Sequence, residues 1–81
     1  MKFEDIQVSA YSGYRHAERP VGFRRHGKDY AVVEILDRWY GGSREPGSPC
    51  LDYFRVRADD GGTYLLRYNG MFDAWALVVD D

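Results

Sequence analysis

Apolar and polar residues alternate along most of this chain with a period of two. Ile6, Val8 and Ala10 alternate with Gln7 and Ser9, the spacing of a strand with one covered face, which predicts a strand over residues 4–10. The polar stretch "SGYRHAER" ends at Pro20 and reads as a loop. "PVGFRRHGKDYAVVEILDRWY" then holds two apolar runs broken at His26–Asp29, which predicts a hairpin with strands near 20–25 and 30–38. In its second strand Ala31, Val33, Ile35 and Trp39 fall on one face, with Tyr30, Val32, Leu36 and Tyr40 on the other, so both faces need cover.

"GGSREPGSPC", residues 41–50, has the glycine, proline and serine content of a long connection. Beyond it Phe54 and Val56 point one way while Tyr53, Arg55 and Arg57 point the other. "ADDGG" supplies residues that tolerate positive φ at a reversal, and a return strand runs from Thr63 to Tyr68. Asn69-Gly70 is a strong two-residue hairpin signal, but a two-residue turn there would set Leu66 opposite Asp73 on a core face. A loop over 69–73 instead sets Leu66 opposite Ala76 and Leu65 opposite Leu77, and that register is preferred.

The last segment, "AWALVV", is apolar on both faces. A strand of that kind calls for a sheet that curls onto itself, for loops that cover it, or for a second molecule. The expected fold is therefore all-β: a single domain over 1–81, about five antiparallel strands in a rolled sheet or small open barrel, and little or no helix.

Composition narrows the picture. At 81 residues, roughly 60% of the unfolded chain's surface is buried on folding, enough for one small core. One cysteine, Cys50, excludes an intramolecular disulfide, and a domain this small without such staples suits a reducing, cytoplasmic setting. The start, "MKFEDIQVSAYSGY", has the pattern of neither a signal peptide nor a membrane span. The net charge of −2 is uneven: residues 1–28 carry six Lys or Arg against three acids, residues 29–81 five against ten. That local excess falls short of a strong polyanion binder.

Ile6-Gln7-Val8, Pro20-Val21-Gly22-Phe23, His26-Gly27-Lys28-Asp29-Tyr30-Ala31-Val32, Trp39, Tyr53-Phe54-Arg55-Val56, Gly62-Thr63-Tyr64-Leu65-Leu66 and Trp75-Ala76-Leu77 together resemble a family of small bacterial proteins, a domain of unknown function. Its pattern runs V-x-V, P-x-x-F, R-G-x-x-Y-x-V, W, Y-W/F-R-V, G-x-Y-x-L, W-x-L. This chain departs from it in carrying His26 where arginine is usual and in the glycine-rich loop at 41–48. The resemblance implies a DNA-related role, through neighbouring genes of error-prone DNA synthesis, and transfers no catalytic residue.

Candidate chemistry is sparse. His16, His26 and Cys50 are the soft metal ligands, 10 and 24 residues apart with no close pair, so neither a metal site nor a cofactor is expected. Cys50 lies between Pro49 and Leu51 as a packed thiol would, with no base beside it in sequence. The carboxylate pairs Glu4-Asp5, Asp59-Asp60 and Asp80-Asp81 belong to turns and termini, not to a cleft. No enzyme activity is expected.

Two binding readings remain. Arg55, Arg57 and Arg67 form a row on the outer face, Arg24 and Arg38 are placed to extend it, and Tyr53 and Tyr30 would be stacking surfaces, the combination found on single-strand nucleic-acid binders. Glu34 and Asp37 on the adjoining strand would instead neutralise that row. Trp39, Tyr40, Met71 and Trp75 exceed what so short a chain readily buries and point to a protein partner. The expectation is a non-enzymatic module contacting an unknown protein, with Arg24, Arg55, Arg57, Arg67 and Trp39 as candidate binding residues. Nucleic acid is the alternative partner, a homodimer would cover the last strand, and no membrane is involved.

Overall fold

The computed structural model describes residues 2–11, 19–41 and 51–79. Every regular element in them is a strand: β1 (Lys2–Tyr11), β2 (Arg19–Arg25), β3 (Lys28–Tyr40), β4 (Leu51–Ala58), β5 (Thr63–Asn69) and β6 (Ala74–Val79). Each pairs antiparallel with the next, and β6 returns to β1, so the sheet closes into a barrel. The all-β expectation holds, with six strands where about five were expected and with the barrel closed.

Closure rests on two long strands that each serve two neighbours. β1 gives Lys2–Ile6 to β6 and Gln7–Tyr11 to β2. β3 gives Lys28–Ala31 to β2 and Val32–Tyr40 to β4. β3 turns the corner with two bulges, between Val32 and Glu34 and between Ile35 and Asp37, the device by which strands bend sharply. The bulges correct the simple alternation read from the sequence. Tyr30, Val32 and Ile35 pack on the core, whereas Val33 and Leu36, the two bulged residues, are 59% and 37% exposed.

The interior is filled by Phe23, Phe54, Val56, Ala58, Leu66, Tyr68 and Leu77. Phe54, Val56 and Leu66 are fully buried, each stabilising the fold by about 1.5–3 kcal/mol. Phe23 stacks on Tyr30, with centroids 5.0 Å apart and planes 15° apart, while Trp75 lies against Phe54 and Tyr68. Trp75, expected as an interface residue, is half-buried and packs against the core.

The turns follow local chemistry. Arg25 opposes Lys28, which leaves a two-residue loop of His26 (φ 52°) and Gly27 (φ 75°). Positive φ at both positions is the tight-hairpin geometry whose twist matches the strands. Between β4 and β5, the Asp60 carboxylate accepts both the Gly62 N–H at 2.8 Å and the Tyr64 hydroxyl at 2.6 Å. Between β5 and β6 the expected register is corrected by one residue: Leu66 faces Leu77 and Arg67 faces Ala76. Asn69 stays in the strand opposite Ala74, its side-chain oxygen accepts the Met71 N–H at 3.0 Å, and Asp73 takes φ 49°. The loop is thus longer than a two-residue turn, as preferred, but one residue shorter than the expected 69–73.

The double apolar character of β6 has two explanations in the fold. Leu77 faces the core. Ala76, paired with Arg67 on one side and Asp5 on the other, is 3% exposed. The Arg67 guanidinium reaches across β6 to lie 3.9 Å from the centroid of the Phe3 ring on β1, and that arch covers Ala76.

Candidate interaction surface

β4 places Tyr53, Arg55 and Arg57 on the outer face, because Phe54, Val56 and Ala58 are turned inward and buried. β3 lays Trp39, Asp37 and Glu34 directly beside them, in the pairs Trp39↔Tyr53, Asp37↔Arg55 and Glu34↔Arg57. The arginine row exists as a row of Cα positions, but its side chains have separate tasks.

Arg57 donates to Glu34 at 2.7 Å with both side chains about half exposed. Arg24 lies on β2, away from β4, and binds Asp29 with two bonds, 2.7 and 3.1 Å. That pairing holds the Asp29 carboxyl below its ordinary pKa and raises the Arg24 guanidinium. Arg67 is committed to its arch over Phe3, and its Nε is buried with no hydrogen-bond partner. Arg38, expected beside the row, opposes Phe54 and sits 4.8 Å from that ring's centroid, on the other face. The second bulge of β3 causes this reversal.

Arg55 differs from the others. Its register partner Asp37 takes the Arg38 backbone N–H at 2.8 Å, and the Arg55 guanidinium lies 5.5 Å from the centroid of Trp39. Trp39 in turn stacks on Tyr53, with centroids 5.5 Å apart and planes only 6° apart. The ring of Tyr53 packs so closely on Gly41 that an added Cβ there would fall 2.4 Å from it. The result is a supported aromatic pair capped by a cation, with Trp39 still 37% exposed.

Arg55 also borders a slot of about 480 Å³ between β5 and β6. The β5–β6 register runs to Leu66↔Leu77, and Val78 and Val79 continue beside β1 as partners of Phe3 and Lys2. Thr63, Tyr64 and Leu65 of β5, Leu77, Val78 and Val79 of β6, and Arg25 of β2 line the slot as well.

One polar cluster was not legible beforehand. Glu4 of β1 accepts from Arg25 at 2.8 Å and sits 3.3 Å from His26 Nε2, and Arg25 above all lowers the pKa of Glu4. The residues come from sequence positions 21 and 22 apart, so only the β1–β2 pairing brings them together. His16 and Cys50 lie outside the described residues. Among the described residues no group of three or more His, Cys, Asp or Glu is placed to hold a metal ion, and no helix is long and apolar enough to cross a membrane. No family model matches this chain, and no curated protein or solved structure matches it.

Proposed function

We propose that this protein is a non-enzymatic interaction module that contacts a partner protein through the outer face of β3 and β4, centred on Trp39, Tyr53 and Arg55. The observation that carries this reading is the contrast on that face. The arginines at 24 and 57 are engaged by carboxylates, while Trp39, Val33 and Leu36 stay exposed on β3. A groove that follows a phosphate backbone needs uncommitted cations in a line. A protein interface needs an aromatic and arginine anchor with apolar surroundings. The single cysteine supports a reducing, cytoplasmic setting for the module.

The test is selection of binders from a displayed random-peptide library, followed by amide-shift mapping on the labelled protein. The reading expects binders whose affinity falls about tenfold or more with Trp39→Ala, the loss typical of an anchor residue, and changes little with Arg57→Ala or with salt. Single-stranded oligonucleotide binding that shifts Arg55, Arg57 and Arg67 and weakens steeply with salt would overturn it in favour of nucleic acid.

A further inference from the structure

The turn between β5 and β6 carries Met71 and Phe72 at its tip, 52% and 72% exposed, and Phe72 is the most exposed large apolar side chain among the described residues. The tip is fastened at both ends. Asn69 Oδ1 accepts the Met71 N–H at 3.0 Å, and the hydroxyl of the buried Tyr68 donates to Asp73 Oδ1 at 2.7 Å. An apolar anchor presented in one geometry loses little freedom when a partner takes it up, and phenylalanine and methionine are enriched in the buried centres of protein interfaces.

The slot bordered by Arg55 lies at the other end of the same two strands. Asn69 faces Ala74 beside the turn, whereas β5 lines the slot with Thr63, Tyr64 and Leu65. The intervening strand is about 13–20 Å long, so the tip does not reach its own slot. The slot's about 480 Å³ is well above the about 150 Å³ of an apolar cavity that takes benzene. Its lining includes Leu65, Leu77, Val78 and Val79. Charge is complementary too, since Arg55 and Arg25 stand at the slot while Asp73 follows Phe72 at the tip. Arg55 lies on Trp39 and forms no ion pair among the described residues. Arg25 gives its Nε to Glu4, and a guanidinium has five N–H donors in all.

We propose that the slot takes the Met71–Phe72 tip of a second copy of this chain, with the Asp73 carboxylate of that copy beside Arg55 and Arg25. Tip and slot sit at opposite ends of β5 and β6, so the contact is heterologous. Each copy that has received a tip still offers its own, and association therefore continues into a ring or an open filament instead of stopping at a dimer. The contact leaves the outer face of Trp39 and Tyr53 free for a different partner.

The experiment measures the mean mass of the full chain by sedimentation equilibrium at concentrations up to about 1 mM, the weak end of specific association. The parent is expected to gain mass with concentration beyond that of a dimer. Phe72→Asp, which spoils the tip, and Leu65→Glu, which puts a carboxylate in the slot, should each stay monomeric. Thr63→Glu, at an exposed position opposite Arg57, replaces Leu65→Glu if the amide spectrum of the latter shows a lost fold. An equimolar mixture of tip and slot variants should form a mixed dimer and stop there, because one sound tip and one sound slot remain. A parent that stays monomeric throughout, or a mixture that does, overturns the proposal. Association that survives both variants and is abolished by Val33→Glu also overturns it, because the copies then meet through β3. Peptide binding at Trp39 should be the same in Phe72→Asp as in the parent, so failure of the contact between copies and failure of the interaction-module reading are told apart.

Discussion

At the scale of single residues, chemically equal arginines take unequal roles. Arg57 pairs with Glu34 on an open surface, where an ion pair adds little. Arg67 lies flat on Phe3 and seals Ala76, so it acts by packing as much as by charge. Arg67→Ala should therefore lower unfolding stability by about 1–2 kcal/mol, and Arg57→Ala by no more than about 0.5 kcal/mol, both read from urea midpoints. His26 gives a second test. Its φ of 52° is tolerated by asparagine and resisted by a β-branched side chain. His26→Val should cost about 1–3 kcal/mol, and His26→Asn much less. The outward direction of Arg55 and Arg57 was legible from period-two alternation with Phe54 and Val56. Their partners were not, since Glu34 meets Arg57 only through the β3–β4 register.

At the scale of elements, β3 shows why alternation is a partial guide. A bulge leaves no local residue signature, yet each one reverses the faces of everything after it. The first bulge in β3 therefore brings Ile35 rather than Glu34 to the core. The second restores the starting phase, so that Arg38 opposes Phe54 while Trp39 faces outward, and the bulged Val33 and Leu36 lie at the surface. The assignment is testable: Val33→Ser and Leu36→Ser should each stay within about 0.5 kcal/mol of the parent. Ile35→Ser, at a position packed on the core opposite Val56, should cost at least about 2 kcal/mol in the same denaturation assay. The β5–β6 loop teaches a related lesson. Polarity alone excludes a two-residue turn at Asn69-Gly70, because it would set Leu66 opposite Asp73, and Asn69 indeed pairs with Ala74. The last residue of register depended on Asn69 bonding to Met71 and on the positive φ of Asp73, neither of which a polarity pattern records.

At the scale of the whole molecule, a doubly apolar β6 signalled a rolled sheet, while closure came from β1 and β3 dividing their lengths between neighbours, which is long-range pairing that no local window contains. The same closure ties the barrel together with polar contacts that titrate at both extremes of pH. Glu4, Asp29 and Asp60 have lowered pKa values, chiefly through bonds from Arg25, Arg24 and Tyr64 respectively. A lowered carboxylate favours the folded state above its unfolded pKa, and that contribution is lost as pH falls through the folded value. Tyr64, held by Asp60, and Tyr68, buried and bonded to Asp73 at 2.7 Å, are raised from 10.0 to about 12. A raised group favours the folded state below its unfolded pKa, so the tyrosine contribution is full below pH 10 and is lost between 10 and about 12. Urea midpoints plotted against pH should thus form a plateau bounded by acid loss below the ordinary carboxylate range and by alkaline loss above pH 10. Tyr68→Phe separates the two limbs. It should lower the plateau by about 1 kcal/mol, the usual worth of one such hydrogen bond. It should leave the acid limb in place and flatten the alkaline limb, because Tyr68 then has no proton to lose. An alkaline limb unchanged by Tyr68→Phe would mean that the Tyr68–Asp73 clasp does not hold the end of the barrel where β5 turns into β6.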